Sequence, residues 1–171
     1  PLTQRPNRRC AIRKLKAYWQ ESTYNQEPLV CIMIDADNFK QVNDSAGHDA
    51  GDRLLVELAQ TLNDSFRSDD LVCRLGGDEF FVICPNTDAE GGAHVAEQTR
   101  QIVAQMRVPA GDDIWCGSIS VGVAERTYEM RDFNDLIKGA DNAVYKAKSQ
   151  GRNCVATCEQ PLHSSAYDAS R

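Results

Sequence analysis

The sequence predicts an α+β fold in which helices cover a central, mainly antiparallel sheet. The run Leu29–Ile34 is apolar throughout and contains β-branched residues, which is typical of a strand covered on both faces. Two further apolar runs, Leu71–Leu75 and Phe80–Cys84, flank the pair Gly76-Gly77. Glycines between two β-prone runs indicate a hairpin, because tight turns need the positive φ that glycine adopts freely. Segments with apolar residues at helical spacing separate these strands.

The elements can be assigned in chain order. Ile12, Leu15 and Trp19 share one face of a helix predicted from Asn7 to about Glu21. After the first strand the predicted elements are a short turn around Phe39–Asn43, a helix from about Ala50 to Phe66, the hairpin, a helix that begins near Asp88, a strand over Ile114–Val123, a helix from Phe133 to about Ser149, and an edge strand over Asn153–Ala156.

This order of elements is that of a split βαβ sheet of the ferredoxin-like, or palm-like, kind. In that topology the third strand lies between the first two and runs antiparallel to the first. Asp35 closes the first strand and Asp78 opens the third. We therefore expect these two carboxylates to meet at one rim of the sheet.

Length and composition are those of one domain with a proper core. The chain has 171 residues, 42% of them hydrophobic, and a net charge of −6. We expect a domain over residues 1–158, followed by a disordered tail over 159–171. Because the chain begins at Pro1, we expect it to be the C-terminal part of a longer signalling protein.

Charge, hydropathy and cysteine content exclude some function classes and suggest a location. No basic stripe is evident that would bind nucleic acid, and no run is long enough to cross a bilayer. The seven cysteines are odd in number and lack CxxC spacing, which favours reduced thiols over disulfides or a zinc site. We therefore expect a cytoplasmic domain, within a parent protein that is soluble or membrane-attached.

The acids at the predicted rim are candidates for metal binding. Mg²⁺ takes a few carboxylates together with water and substrate phosphates, and Asp35 with Asp78 would supply such a pair. A solvated acidic turn is the alternative for Asp78-Glu79 taken alone. The predicted meeting of Asp35 with Asp78 favours a site for a metal and a nucleotide. For Asp37 we predict a different role, as the N-cap of the turn that follows.

The segment Gly76-Gly77-Asp78-Glu79-Phe80 is similar to the signature of GGDEF domains, the diguanylate cyclases. The resemblance covers nearly the whole chain, since other segments resemble family motifs in the same order. These are Leu2-Thr3 with Pro6–Arg9, Asp35–Lys40 with Asn43-Asp44, Gly47–Asp52, Ser118–Gly122, and Ala140–Lys148 through Gly151–Asn153.

The resemblance implies that two GTP molecules are condensed into cyclic di-GMP with release of two pyrophosphates. It implies two Mg²⁺ or Mn²⁺ ions per active site, held by Asp35, the Ala36 carbonyl and Asp78. Glu79 is implied either to bind metal or to activate the attacking 3′-hydroxyl, and the sequence does not separate these roles. Each domain would bind one GTP, so catalysis would require a homodimer.

The resemblance also implies the substrate contacts. Asn43 and Asp52 match the pair that recognises guanine, and their amide and carboxylate groups suit the guanine edge. The groups implied to meet the phosphates are the backbone N–H groups of Asn38 and Phe39 and the side chains of Lys40, Lys148 and Arg152. Lys148 and Arg152 would also be favourable near a helix C-terminus without any ligand.

A possible control motif precedes the hairpin. Arg67-Ser68-Asp69-Asp70 matches the RxxD site at which the product inhibits members of the family, and Arg74 would add a third contact. A surface Arg–Asp pair of little energetic value is the alternative. The spacing from the hairpin favours the inhibitory site.

The sequence departs from the family pattern at several positions. Gln4-Arg5 replaces a usual Gly-Leu, and Ala36 replaces a bulkier aliphatic residue. His94 and Gln98 stand where the family often has arginines that grip product on the neighbouring domain, so we do not expect inhibition across domains by that route. His48 is expected to have a structural role rather than that of a catalytic base.

Two other functions compete with the cyclase. One is a receptor domain that binds cyclic di-GMP or GTP without making product. Loss of the hairpin acids usually marks such domains, whereas Asp78 and Glu79 are both present here. The other is a different nucleotidyl-transfer enzyme on a palm-like fold, which the full run of matching segments disfavours.

Overall fold

The computed structural model describes residues 2–158, so the tail expected over 159–171 lies outside the described residues. The described residues form five helices and seven strands. The helices are α1 (Arg8–Asn25), α2 (Phe39–Ala46), α3 (His48–Ser65), α4 (Ala89–Ala104) and α5 (Phe133–Ser149). The strands are β1 (Leu29–Ala36), β2 (Leu71–Gly76), β3 (Glu79–Pro85), β4 (Val108–Ala110), β5 (Asp113–Trp115), β6 (Ile119–Glu125) and β7 (Val155–Thr157).

Five of the strands form one sheet in the order β2-β3-β1-β6-β7. β3 lies between β1 and β2 and is antiparallel to both, and β6 is antiparallel to β1 on the other side. β7 joins the edge parallel to β6. The predicted α+β fold with a central, mainly antiparallel sheet is thereby confirmed.

All eight residues of β1 are buried, because helices cover both faces of the sheet. Successive side chains of a strand point to opposite faces. Val30, Ile32 and Ile34 accordingly join the core that includes the apolar faces of α3 and α4. Leu29, Cys31 and Met33 join the second core, with residues of α1 and α5. This double burial explains why the sequence of β1 is apolar without alternation.

Helix α5 approaches the sheet most closely at Gly122 in the middle of β6. A Cβ atom at this position would come within 2.5 Å of the Ala140 carbonyl oxygen and closer still to the Val144 nitrogen. Both of these atoms belong to the α5 backbone, which cannot yield as a flexible side chain would. The glycine therefore sets the distance between α5 and the sheet.

The prediction of one continuous strand over Ile114–Val123 is wrong, because the first strand ends at Trp115 and the next begins at Ile119. Its first part is β5, which pairs with β4 in a separate two-stranded sheet, and its second part is β6. The Trp115 side chain is buried and its ring occupies the space where Gly117 would carry a Cβ. This local packing turns the backbone between the two strands.

Other differences concern the helices. The predicted turn around 39–43 is the first part of α2. Ile12, which the helical spacing placed inward, is 38% exposed. Along α1 the buried positions are Ala11, Leu15 and Ser22.

Two further features concern hydropathy and the cysteines. None of the helices in residues 2–158 is both long and apolar enough to cross a membrane. Cys31, Cys73 and Cys84 are thiols buried in the cores. Burial raises the pKa of Cys73 to about 12, so this thiol is held in its protonated form.

We predict that Gly122→Ala lowers the free energy of unfolding by about 2 kcal/mol or more, because the added methyl group overlaps helix backbone. Gly91→Ala is the matched control, since Gly91 is an exposed glycine within α4. A glycine-to-alanine change at such a site is expected to be neutral or stabilising by up to about 1 kcal/mol. Urea denaturation of both variants measures the difference, and equal stability of the two would contradict the close approach of α5.

Candidate active site

Acidic residues from β1 and β3 meet at one rim of the sheet. The strand register pairs Asp35 with Glu79, and the Ala36 N–H donates a hydrogen bond to the Asp78 carbonyl oxygen at 3.2 Å. Gly76 and Gly77 form the turn before these acids with φ values of 147° and 52°. The rim therefore carries three carboxylates from two distant parts of the sequence.

Asp35 is the most buried of these acids, with 6% exposure. Its Oδ2 atom forms an ion pair with Lys148 in the last turn of α5. Its Oδ1 atom is buried and has no hydrogen-bond partner. A buried carboxylate oxygen without a donor is costly, so this atom is available to a cation or a donor that enters the site.

The rim acids disfavour each other's charged forms. Burial raises the pKa of Asp78, and the nearby charge of Asp35 raises it further. Burial also raises the pKa of Glu79, followed by the charges of Asp35, Asp78 and Asp141. Both glutamate and aspartate at the rim therefore hold their protons more tightly than exposed acids do.

Asp141 is a fourth acid of this cluster that sequence reasoning did not single out. It lies on α5 seven residues before Lys148, and desolvation together with the charge of Asp35 raises its pKa against the opposing effect of Arg8. The spacing of seven residues, two helical turns, was a signal in the sequence, since it puts Asp141 and Lys148 on one face of α5.

The donor set fits a metal bound together with a substrate. In residues 2–158 no three or more His, Cys, Asp or Glu side chains are arranged as a complete metal cage. An open set of two carboxylates, Asp35 and Asp78, suits Mg²⁺ that completes its shell with water and phosphate. The unpartnered Asp35 Oδ1 and the mutual repulsion of the acids both indicate a place that a cation would stabilise.

Backbone N–H groups at the start of α2 form a site suited to phosphate. Asn38 has a left-handed conformation, with φ of 60° and ψ of 23°, and the helical Phe39 follows it. This succession of conformations turns adjacent N–H groups toward one point, which makes a concave anion site. Phe39 is buried and anchors the segment, whereas Lys40 is exposed beside it.

The predicted role of Asp37 as a helix N-cap is wrong. Asn38 occupies the N-cap position of α2, and no side chain caps it. The Asp37 side chain points instead into the protein, where it is 3% exposed. Its carboxylate accepts hydrogen bonds from the hydroxyl groups of Ser118 and Ser120, at 2.7 and 2.6 Å.

The two cations predicted to meet phosphate come from the end of α5. Lys148 lies in its last turn and is held by Asp35. Arg152 follows the helix in a left-handed conformation, with φ of 64°, and is exposed. Its backbone N–H donates to the Ala147 carbonyl oxygen at 3.1 Å, which ties it to the helix end.

The predicted guanine-binding residues lie on the neighbouring helices α2 and α3. Asn43 on α2 lies directly against Gly51, the residue before Asp52 on α3. A Cβ at Gly51 would overlap the amide oxygen of Asn43. The glycine therefore lets the two helices bring Asn43 beside Asp52. His48 is exposed at the first position of α3.

Arg67 and Asp70 form a pre-assembled pair at the opposite end of the β2–β3 hairpin. The Arg67 backbone N–H donates to Asp70 Oδ2 at 3.0 Å, and Arg67 Nη2 donates to Thr87 Oγ1 at 2.8 Å. The Asp70 side chain is 3% exposed, and its Oδ1 atom is buried without a partner. The Arg67 side chain is 63% exposed. The pair thus offers an accessible guanidinium beside a buried carboxylate, which also raises the pKa of the neighbouring Cys84 thiol after burial has raised it.

The structure does not bring Arg74 to this pair. Its guanidinium donates to the Gly77 carbonyl oxygen at 3.1 and 2.9 Å, at the other end of β2. His94 and Gln98 are both exposed on α4.

Comparison with known proteins identifies relatives of the chain. A family model described as "Diguanylate cyclase, GGDEF domain" matches residues 1–154. The chain is 38% identical to the response regulator PleD of Caulobacter vibrioides over 90% of its own length and 34% of that protein. It is 40% identical to a diguanylate cyclase of Vibrio cholerae over 89% of its length and 47% of that protein. The chain thus spans less than half of these relatives.

Solved structures agree with the sequence relatives. The active GGEEF domain of a diguanylate cyclase from Vibrio cholerae superimposes with a TM-score of 0.85 at 34% identity, covering 92% of this chain and 100% of that one. The GGDEF domain of DgcB from Caulobacter crescentus, solved in complex with c-di-GMP, gives a TM-score of 0.88 at 28% identity, with coverage of 94% and 92%.

We predict that Asp35→Asn lowers the pKa values of both Asp78 and Glu79, because the Asp35 charge is the largest influence on each after burial. Asp141→Asn should lower the pKa of Glu79 and leave that of Asp78 unchanged, since the Asp141 charge acts on Glu79 alone of the two. Carboxyl ¹³C NMR titration of the metal-free domain measures both values. Unchanged pKa values in Asp35→Asn would contradict the rim geometry.

The raised pKa values of Asp78 and Glu79 also determine how the stability of the domain changes with pH. Folding raises the pKa values of Asp78 and Glu79 above their ordinary values of 3.8 and 4.5, so the folded domain binds more protons than the unfolded chain. The contribution of these two acids to stability therefore falls as the pH rises from their ordinary to their raised pKa values. Asp35→Asn should make this fall shallower.

Proposed function

The chain belongs to the GGDEF domain family of diguanylate cyclases, and we propose that this domain condenses two GTP molecules into cyclic di-GMP and two pyrophosphates. The single observation that carries the proposal is the acid rim, where Asp35, Asp78 and Glu79 meet and Asp35 Oδ1 has no partner. A receptor domain would have no use for this arrangement of repelling acids. We extend the domain to residue 158, because β7 completes the edge of the sheet.

Asp35, Asp78 and the Ala36 carbonyl are the proposed ligands of Mg²⁺ or Mn²⁺, with two ions per site. When bound there, the metal supplies polarisation of the α-phosphate and a lower pKa for the attacking hydroxyl. Lys148 neutralises Asp35 in the free domain. We propose that Lys148 turns toward the phosphates when a cation takes over Asp35, so that no buried charge loses its partner.

Glu79 is the proposed proton acceptor for the 3′-hydroxyl of the facing nucleotide. It is exposed at the rim, and its pKa is raised by burial of part of the group and by the surrounding acids. A higher pKa makes a carboxylate a better base near neutral pH. Its position at the edge of the domain suits a group that acts on the nucleotide bound by the other domain of the dimer.

The remaining contacts hold GTP in place. Asn43 and Asp52 would read the guanine edge, and the N–H groups of Asn38 and Phe39 would bind phosphate oxygens. Lys40 and Arg152 would add positive charge to the same phosphates.

One domain supplies one such nucleotide site, so we propose a homodimer in which two sites face each other. Holding both nucleotides in line supplies much of the rate. Because GTP is a cytoplasmic nucleotide, we also propose a cytoplasmic location.

Arg67 and Asp70 are the proposed inhibitory site for cyclic di-GMP. The exposed guanidinium offers a planar fork for guanine or phosphate, and the buried Asp70 carboxylate holds the Arg67 backbone in place beneath it. Arg74 would have to release the Gly77 carbonyl before it could contribute a third contact.

We predict that the purified domain, given GTP and Mg²⁺, forms cyclic di-GMP at a rate that rises more steeply than linearly with protein concentration. Glu79→Gln should reduce turnover by about 10²-fold or more, because it removes the proton acceptor and keeps the shape. Glu57→Gln, an exposed change on α3, is the control. Product is quantified by chromatography.

If this assay yields no product, the domain is fused to a dimerising partner and the assay is repeated. If the fused domain binds GTP and still forms no product, the receptor function replaces the cyclase. If Glu79→Gln turns over like the unsubstituted domain, Glu79 is not the base.

We predict that Arg67→Ala weakens cyclic di-GMP binding about tenfold or more while GTP turnover continues, because the guanidinium contact is lost far from the acid rim. Arg13→Ala, an exposed change of the same charge on α1, should bind product normally. Isothermal titration with cyclic di-GMP measures both affinities. Equal affinity in the two variants would contradict the inhibitory site.

A further inference from the structure

The buried carboxylate of Asp37 joins three parts of the chain that are distant in sequence. Besides the hydroxyl groups of Ser118 and Ser120 at the start of β6, it accepts a hydrogen bond from the Asn153 backbone N–H at 3.1 Å. Its own backbone N–H donates to the Ser118 carbonyl oxygen at 2.9 Å. Asp37 is also the residue directly before Asn38, whose left-handed conformation opens the phosphate-binding turn. One side chain thus connects that turn to the loop after α5.

The loop after α5 is held in an unfavourable backbone conformation. Three successive residues, Gly151, Arg152 and Asn153, have φ values of 108°, 64° and 47°. Such values are free for glycine and tolerated by asparagine, but they are unfavourable for arginine. The loop therefore depends on contacts that hold it, and these contacts determine where the Arg152 side chain starts.

Asn153 is tethered on two sides. Its backbone N–H binds Asp37, and its side-chain oxygen accepts a hydrogen bond from Arg100 Nη1 at 2.9 Å. Arg100 is itself fixed on α4 by Glu97, through bonds of 2.9 and 2.5 Å. The two hydrogen bonds thus fix Asn153, the residue next to Arg152, to Asp37 and to α4.

We propose that Asp37, with Arg100 as a second tether, is the positioning residue that sets the distance between the Asn38–Phe39 turn and Arg152. The ligand served by this arrangement is the triphosphate of GTP, so the inference rests on the proposed phosphate contacts. A triphosphate is long enough to engage both elements at once. Holding them in place before binding removes an ordering cost from the affinity.

The test is a double-mutant cycle on binding of a non-hydrolysable GTP analogue with Mg²⁺, measured by isothermal titration for Asp37→Asn, Arg152→Ala and the double variant. An asparagine amide has one acceptor oxygen for the three donors that Asp37 binds, and its hydrogen bonds lack the assistance of a negative charge, so the network that holds the loop is weakened. Asp37→Asn should weaken binding about tenfold, and adding Arg152→Ala should weaken it no further than Arg152→Ala alone. Affinity for GMP, which cannot reach both elements, should not change.

Arg100→Met provides a second route that leaves the buried carboxylate intact, and it carries the test if Asp37→Asn does not fold. It should lower the affinity for the triphosphate analogue and spare GMP. Arg13→Met is the matched control, because it removes an exposed arginine on α1 that takes no part in the tether and should leave both affinities unchanged.

The outcomes separate the inference from the proposed function. If Arg152→Ala binds the analogue normally, the phosphate role of Arg152 fails, and the positioning role fails with it. If Arg152→Ala weakens binding while Arg100→Met and Asp37→Asn do not, or do so additively, only the positioning role is overturned. Equal losses of GMP and analogue would show that Asp37 serves the fold as a whole, which also overturns it.

Discussion

The antiparallel pairing of β1 with β3 is the constraint on which the site depends. Because its register sets Asp35 opposite Glu79, the end of one covered strand and the start of the other deliver their acids to the same rim. Every other feature of the site is arranged around that meeting point. A shift of register by one residue would turn all side chains of β3 to the opposite face and separate the acids. The apolar burial of β1 on both faces fixes the register, since such a shift would interchange the two cores.

The rim is electrostatically unfavourable in the free domain. Burial and the charge of Asp35 raise the pKa values of Asp78, Glu79 and Asp141, and Lys148 offsets this effect at Asp78 and Glu79 only in part. Stability that the cores supply therefore holds together groups that would separate in an isolated peptide. Such unfavourable clusters are typical of functional sites, where a ligand of opposite charge completes the balance. The unpartnered Asp35 Oδ1 is the atom that such a ligand would be expected to contact.

The parts of this fold that were predicted from sequence rest on local patterns. An apolar run without alternation identified β1, and a glycine pair between two such runs identified the hairpin, because both signals involve neighbouring residues. Asp37 was misassigned for the opposite reason. The N-cap rule considers the next few residues, whereas the donors to Asp37 lie 81, 83 and 116 positions away. The end of the strand at Trp115 likewise depends on how the buried Trp115 ring packs against Gly117. The alternation of apolar and polar residues in the sequence contains no information on this packing. Asp141 was missed because its acid neighbours come from other elements.

Left-handed backbone conformations occur in both elements where phosphate is proposed to bind. Of the six non-glycine residues with positive φ in the described chain, Asn38, Arg152 and Asn153 belong to the two elements that we propose bind phosphate. Strained conformations persist only where surrounding contacts over-determine them. Asp37 supplies one of those contacts from the interior, where it is 3% exposed, since its carboxylate accepts from the Asn153 N–H and its backbone continues directly into Asn38. Flexible arms at a triphosphate site would have to be ordered by each substrate molecule in turn. A buried carboxylate that orders them during folding moves that cost from binding to stability, and the large double-sided core of the sheet can sustain it.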